Sequence, residues 1–354
     1  MKLSDLKYLI AYLIPLTGFM SVFMGSFWTW SAVVFAFVIV PSIELFVSRS
    51  TSNLTSLQEN VRLSNSFYDL LLYINLPLIY GLIICYFYVL SNGQFEKSEL
   101  VGMTLSVGIV LGSGINVAHE LGHKSGLLEQ TIAKLILLPN LYMHFIIEHN
   151  HGHHVHIATP DDPATSRKGE MVYAFWVRSS LFSYLGAWKL EAKRLTRAGK
   201  FVLSLNNQMI IFQTVQLIYL LVVWAVFGAK ILLFAIAIAI IGFLLLETIN
   251  YIEHYGLVRA KLANGKYERV DTRHSWNSNH ELGRIILYEL TRHSDHHFKA
   301  NRKYQILRHH SKSPQLPLGY PGSMLLSFIP PLWFFVMHKK LETLSYNSIQ
   351  QSTP

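Results

Sequence analysis

Long uninterrupted apolar runs dominate the first third of the chain and return after residue 208. Six of them are about 20 residues long, which is the length at which an α-helix crosses the hydrocarbon core of a bilayer. The pattern predicts an all-α integral membrane protein with spans at about 8–24, 28–47, 68–90, 99–118, 209–228 and 231–250. Two weaker apolar stretches lie at 131–147 and 321–337. The first is short and contains polar residues, so we expect a buried or re-entrant helix there. The second contains paired prolines, so we expect it to lie at the interface or to pack under the spans.

The charge distribution supports the membrane interpretation and orients the chain. Only 14% of the 354 residues are charged, compared with about 25% in soluble domains. Of the 30 basic residues, only Lys97 and Lys230 fall in predicted outer loops, so we expect both termini in the cytoplasm. Residues 1–354 then form one membrane-embedded domain with two cytoplasmic segments, about 119–208 and 251–354. The net charge of +9 points to lipid rather than nucleic acid.

The 17 histidines all follow residue 118, and most stand in four short clusters. The clusters are HELGHK (119–124), EHNHGHH (148–154), NYIEHYGL (250–257) and RHSDHH (292–297). Within three of them the histidines are three or four residues apart, so on a helix they share a face. Neutral imidazole is a good ligand for iron, copper and zinc.

Nine well-spaced imidazoles suit two metal ions. Zinc has no redox chemistry, and the single cysteine, Cys85, cannot supply the thiolates that copper(I) favours. The residues therefore predict a membrane-embedded, redox-active dinuclear site that opens toward the cytoplasm. HELGH also satisfies the H-E-x-x-H pattern of zinc proteases, with Glu120 as general base. A catalytic zinc needs only about three protein ligands, so a protease would leave the other clusters unexplained, and we keep it as a remote alternative.

The four clusters, in this order, resemble the motifs of the membrane-bound alkane 1-monooxygenases. That family belongs to the histidine-rich membrane di-iron superfamily of desaturases and hydroxylases. Further matches are TPDDPATSRKGE (159–170), HSWNSNHE (274–281) and GYPG (319–322). Thr291 replaces the glutamine usual before RHSDHH. We expect His151 and His156, as well as His274 and His280 of HSWNSNHE, to lie outside the metal site or in an outer shell.

The resemblance implies terminal hydroxylation of medium- or long-chain n-alkanes to 1-alkanols, using O2 and electrons from reduced rubredoxin. It also implies a bacterial inner-membrane enzyme with two non-haem iron ions. The family's iron-binding histidines correspond to His119, His123, His149, His153, His154, His254, His293, His296 and His297. Hydroxylation of an aromatic methyl group and desaturation of a fatty acyl chain remain alternatives.

Two further expectations concern the surroundings of this centre. Metal-bound imidazoles usually donate their second N–H to a carboxylate, a carbonyl or water. The neighbouring candidates are Glu120, Glu148, Asp161, Asp162, Glu253 and Asp295. One cysteine cannot build the four-thiolate site of rubredoxin, so we expect a separate rubredoxin with its reductase. Rubredoxins are typically acidic, and a basic patch would attract one, namely Arg302, Lys303, Arg308 and Lys312.

Overall fold

The computed structural model describes residues 3–47 and 49–352, and within these ranges it contains helices and three isolated bridges but no β-strand. Five helices are long and apolar enough to cross a membrane: Asp5–Phe23, Ser26–Glu44, Phe67–Asn92, Lys97–Gly122 and Gln208–His254. We number them as the first to fifth spanning helices. The other α-helices of four or more residues are Ser56–Leu63, Leu127–Leu137, Phe145–Glu148, Val172–Arg197, Glu281–Ile286, His293–Phe298, Tyr320–Ser327 and Pro330–Ser352. The predicted all-helical membrane fold is confirmed.

The fifth spanning helix accounts for the difference between six predicted spans and five observed helices. It is 47 residues long and covers both predicted spans, 209–228 and 231–250. Gly228, at φ 83° and ψ 174°, interrupts the helical backbone between two arms. An unbroken helix of that length would extend about 70 Å, more than twice the hydrocarbon thickness of a bilayer. A single glycine therefore takes the place of the predicted outer loop, because it tolerates this positive φ.

The fourth spanning helix lies at the centre of the molecule, and most of its residues are buried. Small residues let it approach the second arm of the fifth spanning helix closely. A Cβ on Gly112 would lie 2.9 Å from the carbonyl oxygen of Gly242, and one on Gly108 would collide with Ile241. The Leu127–Leu137 helix packs against the same element. The stretch 131–147 is largely buried as predicted, but it is not one helix, because Leu141 has a left-handed backbone conformation between Leu138–Asn140 and Phe145–Glu148. The fourth spanning helix thus delivers its C-terminal histidines into the interior.

A second hydrophobic core fixes the C-terminal part of the chain to the end of the fifth spanning helix. Tyr251 and Tyr255 pack against Trp333, with ring centroids 5.6 and 5.3 Å apart. Trp276 is buried in the same cluster and donates a hydrogen bond from Nε1 to the carbonyl oxygen of Tyr255. Pro330 begins the last helix, as a residue without an N–H group can, so the stretch 321–337 is divided between two helices.

A buried polar cluster joins the first spanning helix to the segment just before His293. The Tyr8 hydroxyl donates to Glu289 Oε1 at 2.7 Å, and Arg284 Nε donates to Glu289 Oε2 at 2.7 Å. Arg292 lies beside the same carboxylate and donates to the carbonyl oxygen of Leu307. Buried charges persist when they are paired and hydrogen-bonded. The cluster therefore holds the RHSDHH segment against the N-terminal part of the fold.

Candidate metal centre

The fold brings all nine sequence-predicted histidines together from four separate segments of the chain. His119 stands in the last turn of the fourth spanning helix and His123 follows that helix directly. His254 is the last residue of the fifth spanning helix. The remaining six come from residues 149–154 and from the His293–Phe298 helix. The nine histidines are thus distant in sequence and adjacent in space.

Five of the histidines form one group, in which one nitrogen of each lies within 4.8 Å of the others: His119, His123, His149, His154 and His296. We call this the five-histidine group. The Nε2 atoms of His119 and His296 are 3.0 Å apart, and those of His154 and His296 are 3.1 Å apart. The Nε2 atoms of His149 and His154 are 3.0 Å apart. Five imidazoles therefore direct their Nε2 atoms toward a common point.

The other four form a second group under the same criterion: His153, His254, His293 and His297. We call this the four-histidine group. The Nε2 atom of His293 is 2.8 Å from that of His297 and 3.2 Å from that of His254. The groups adjoin each other, since the ring centroids of His154 and His297 are 4.4 Å apart. The arrangement is a pair of neighbouring ligand sets.

A π-helical turn over His149–His153 decides which histidines share a group. Spacing alone predicts that His149 and His153 come together, because they are four residues apart. In a π-turn the repeat is nearer five residues, and the structure joins His149 with His154 while it assigns His153 to the other group. The centroids of the His149 and His153 rings are still 5.2 Å apart. This local departure from α-helical geometry lets one short segment serve both groups.

The donor set fits two metal ions. With a metal–nitrogen bond of about 2.1 Å, ligand nitrogens at right angles are about 3.0 Å apart and those at a tetrahedral angle about 3.4 Å. The observed Nε2 separations run from 2.8 to 3.4 Å. Two facing Nε2 atoms can share only one proton, so nine converging imidazoles lack enough hydrogen-bond partners among themselves. Metal ions would satisfy the remaining lone pairs.

The protonation of the imidazoles also suits metal binding. Burial, followed by the charge that neighbouring imidazoles would carry if protonated, lowers the pKa of His123 to about 4. The same causes hold the pKa well below the usual histidine range at His149, His154, His293, His296 and His297. These rings are therefore neutral at physiological pH, and a neutral imidazole offers a nitrogen lone pair to a metal.

Two of the six candidate carboxylates contact the four-histidine group. Asp162 Oδ2 lies 2.9 Å from Nδ1 of His153, the ring nitrogen that faces away from the group, and both side chains are buried. Glu253 Oε2 lies 3.2 Å from Nε2 of His293, on the side where the imidazoles converge. The Tyr320 hydroxyl donates to the other oxygen of Glu253 at 2.7 Å.

The other four candidates make different contacts in the described part of the chain. Glu120 accepts a hydrogen bond from the backbone N–H of Tyr304. Glu148 is buried beside His149 in a small polar cavity, and burial followed by the charge of Asp162 raises its pKa well above the usual range. Asp161 lines an open groove. Asp295 binds Arg302 and His310, each at 2.6 Å.

The histidines that were expected outside the ligand set lie apart from both groups. His151 is exposed and His156 is half-buried. His274 contacts Glu268 and Asp271, and His280 contacts the Ser278 hydroxyl.

Sequence reasoning missed two residues that organise the centre. Tyr320, in the GYPG match, holds Glu253 as described above. Asn277, in HSWNSNHE, accepts a hydrogen bond from the backbone N–H of Ser294 and donates one to its hydroxyl, at 2.8 and 2.7 Å. These contacts fix the start of the helix that carries His293, His296 and His297. Both residues belong to sequence motifs that match the family, but the sequence does not indicate which residues they contact.

Comparison with known proteins agrees with this geometry. A sequence model of the fatty acid desaturase family matches residues 99–324. Alkane 1-monooxygenase 2 of Pseudomonas aeruginosa is 40% identical over 317 residues, which cover 89% of this chain and 84% of that protein. Alkane 1-monooxygenase 1 of Alcanivorax borkumensis is 40% identical over 323 residues, 91% of this chain and 78% of that protein.

A relative with lower sequence identity is named for a different, aromatic substrate. The hydroxylase component of the xylene/toluene monooxygenase of Pseudomonas putida is 30% identical over 344 residues, 95% of this chain and 89% of that protein. The alkane 1-monooxygenases match at higher identity, up to 42%. With its spanning helices and its paired histidine groups, the chain belongs to the fatty acid desaturase family and, within it, to the bacterial alkane 1-monooxygenases.

Proposed function

We propose that this protein hydroxylates the terminal carbon of medium- or long-chain n-alkanes at a centre of two iron ions. The reaction consumes one alkane, one O2, two electrons and two protons, and it yields one 1-alkanol and one water. We further propose that reduced rubredoxin, a separate protein regenerated by its reductase, delivers the electrons. Iron bound at this centre would supply the redox chemistry that lets O2 react with an unactivated C–H bond.

The convergence of nine imidazoles in two adjoining groups is the observation that carries this proposal. His119, His123, His149, His154 and His296 would hold one iron, and His153, His254, His293 and His297 the other. A zinc protease needs about three protein ligands and one metal. It would leave the second group without a purpose, so the geometry favours the oxidative reaction.

The residues around the four-histidine group have separate tasks in this proposal. Asp162 accepts a hydrogen bond from Nδ1–H of His153, which leaves the Nε2 lone pair facing the group. Tyr320 fixes one oxygen of Glu253, so that the other oxygen stays beside His293. All these side chains are buried. Exclusion of water protects a reactive centre from side reactions.

The membrane setting matches the chemistry of the substrate. An n-alkane dissolves in the bilayer and offers no polar group to bind, so selectivity must come from the shape of an apolar site. We propose that residues 1–354 act as one membrane-embedded domain of a bacterial inner membrane, with both termini and the histidine groups toward the cytoplasm. The support is the concentration of basic residues on that side of the chain.

Product analysis tests the reaction. Membranes that contain the protein would be given rubredoxin, rubredoxin reductase, NADH and n-alkanes of graded length, from about hexane to about hexadecane. Gas chromatography with mass spectrometry should find primary alcohols, with a maximum at one chain length. The matched control is the His119→Ala variant, which should retain the membrane protein and lose the product.

The same assay discriminates between the alternatives. An aromatic alcohol formed from xylene in place of alkanols would assign the protein to the reaction named for the P. putida relative. An alkene formed from an acyl chain would indicate a desaturase. Absence of O2 consumption, with one zinc bound per chain, would favour the protease and overturn the proposal.

A further inference from the structure

The second spanning helix ends in a buried carboxylate that the proposed reaction does not use. Glu44 is the last residue of this helix, and it is only 4% exposed. Its Oε1 atom accepts a hydrogen bond from the backbone N–H of Gly283 at 3.1 Å, whereas Oε2 has no hydrogen-bond partner among the described residues. An ionisable side chain in a membrane-spanning segment is costly to bury and commonly marks a functional site. Glu44 therefore calls for a partner that the described residues do not supply.

Two glycines make room for this carboxylate. A Cβ atom on Gly319 would collide with Oε2 of Glu44, and one on Gly283 would lie 2.6 Å from Oε1. Gly319 directly precedes the Tyr320–Ser327 helix, and Gly283 belongs to the Glu281–Ile286 helix. The packing of these two helices against the end of the second spanning helix thus fixes where the carboxylate lies.

Glu44 lines a cavity of about 390 Å³, within the range of about 300 to 1,000 Å³ that is typical of small-molecule sites. Most of the other lining residues are apolar, among them Val38 and Pro41 of the second spanning helix, Leu325 and Ile329. Val38, Leu325 and Ile329 are 55%, 39% and 55% exposed. Exposed apolar side chains beside a membrane-spanning helix contact lipid, so the cavity opens toward the acyl chains of the bilayer.

The polar end of the cavity contains a neutral ring and lies beside a positive charge. His280 lines the cavity and contacts the Ser278 hydroxyl through Nδ1 at 2.8 Å. Burial, followed by the charge of Arg49, lowers the pKa of His280, so its ring does not compensate a negative charge on Glu44 at physiological pH. Arg49 is exposed, and its backbone pairs with that of His280 in an isolated antiparallel bridge. A buried acceptor for a cation thus lies near an exposed guanidinium group.

We propose that this cavity binds a phospholipid with a protonated primary amine in its headgroup, of the phosphatidylethanolamine class. The ammonium group donates a hydrogen bond to Glu44, the phosphate lies toward Arg49, and an acyl chain runs past Val38 and Ile329 into the bilayer. Charge complementarity carries the assignment, because an uncharged donor such as an alcohol would leave the charge of the carboxylate unpaired. The bound lipid would join the second spanning helix to the Tyr320–Ser327 helix.

Native mass spectrometry of the full-length protein in neutral detergent tests the site. The delipidated protein would be titrated with dioleoyl phosphatidylethanolamine and, separately, with dioleoyl phosphatidylcholine, whose quaternary ammonium group has no N–H donor. We expect one phosphatidylethanolamine to bind about tenfold more tightly than phosphatidylcholine, because a hydrogen bond to a charged group contributes a factor of about ten or more. Equal affinity for the two lipids would overturn the proposal.

Two variants separate the headgroup contact from the apolar contact. Glu44→Gln should lower the affinity for phosphatidylethanolamine to that for phosphatidylcholine and leave the affinity for phosphatidylcholine unchanged. Val38→Trp keeps the carboxylate and fills the cavity from an exposed position, so both lipids should bind about tenfold more weakly. If phosphatidylethanolamine binds to both variants as it does to the wild type, the cavity is not its site.

The matched controls are Glu342→Gln and Val226→Trp, which change an exposed glutamate and an exposed valine outside the cavity. Each should change the affinity for either lipid less than twofold. Metal content and thermal unfolding of every variant verify that the fold and the histidine groups are intact. An equal loss of affinity in a control and in its cavity variant would contradict a site at Glu44.

Two competitors distinguish the lipid from other occupants. Free ethanolamine should not displace phosphatidylethanolamine, because it lacks the acyl chain. Displacement by ethanolamine would assign the cavity to a small soluble amine and overturn the proposal. A 1-alkanol that binds more tightly than phosphatidylethanolamine, and loses affinity in Glu44→Gln, would assign the cavity to the reaction product instead. None of these measurements involves turnover, so their outcome is independent of the proposed alkane reaction.

Discussion

The two histidine groups use the same ligand chemistry in different surroundings. The five-histidine group is partly open at His123 and His154. The four-histidine group is closed to solvent and has two buried carboxylates, Asp162 and Glu253, in contact with it. Where water cannot reach a polar nitrogen, the protein itself must supply the partner or accept the cost of an unpaired group. The buried group has fewer imidazoles and a more elaborate supporting shell.

This contrast suggests a division of tasks between neighbouring metal sites. The open group is accessible from the surface at His123 and His154. The closed group is placed to keep water away from the reaction. Three substitutions in and around the closed group test the contrast, and they perturb it by successively smaller amounts.

Replacement of His254 by alanine should have the largest effect. It removes one of four imidazoles from the closed group and leaves the five-histidine group intact. We expect bound iron to fall to about half of the wild-type content, because three imidazoles hold a metal more weakly than four, and we expect alkane turnover to be lost. Plasma mass spectrometry of the purified protein measures the iron.

His338→Ala is the matched control for this variant. His338 contacts the Tyr255 hydroxyl at 3.0 Å and belongs to neither group. It should keep both its iron and its turnover. Loss of all iron in His254→Ala would show that the two sites are loaded as one unit, and full iron content would remove His254 from the ligand set.

Replacement of Asp162 by asparagine should weaken the closed group less severely. A neutral amide accepts a weaker hydrogen bond from His153 than a carboxylate does, and such changes typically cost about 10- to 100-fold in metal affinity. Competition with a chelator measures the affinity of each iron. We expect one of the two irons to be released at lower chelator concentration.

Asp161→Asn provides a close control, since Asp161 is the neighbouring residue and lines an open groove instead of contacting His153. Its iron should be held as firmly as in the wild type. An equal loss of metal affinity in both variants would mean that the negative charge near the site, rather than the contact of Asp162 with His153, stabilises metal binding.

Replacement of Tyr320 by phenylalanine should have the smallest effect of the three. It removes a single hydrogen bond to Glu253, and a buried acceptor left without this partner costs about 1 to 3 kcal/mol of unfolding free energy. Iron content should stay unchanged, while the Mössbauer spectrum of one of the two irons shifts. Tyr173→Phe removes a comparable bond, to the carbonyl oxygen of Phe328, and should leave both spectra as they are.

The sequence was sufficient for the fold class and for the identity of the histidines that converge. Apolar runs of membrane-spanning length and imidazoles at helical spacing are local signals, and both were visible without a structure. The assignment of the histidines to two groups could not be predicted. The π-turn at His149–His153 lengthens the helical repeat by about one residue, and no residue type in the sequence indicates such a turn.

The carboxylates show the same limit. Asp161 and Asp162 are adjacent in sequence and equally plausible as partners of a histidine. Asp162 is selected by a local turn, in which it accepts hydrogen bonds from the backbone N–H of Ala164 and from the Thr165 hydroxyl. A break between residues 228 and 231 was predicted as a short outer loop, but its reduction to the single residue Gly228 was not predicted.

The contact of Tyr8 with Glu289 has a consequence for biogenesis. It joins residues 281 positions apart, so the N-terminal helix enters the membrane long before its buried partner has been synthesised. The histidines follow the same order, because each group includes residues from the 293–297 segment as well as earlier ones. The five-histidine group is complete only when His296 has left the ribosome, and the four-histidine group only when His297 has. A metal ion could therefore be bound by a complete ligand set only late in synthesis, and a chain truncated before residue 296 would contain neither complete set.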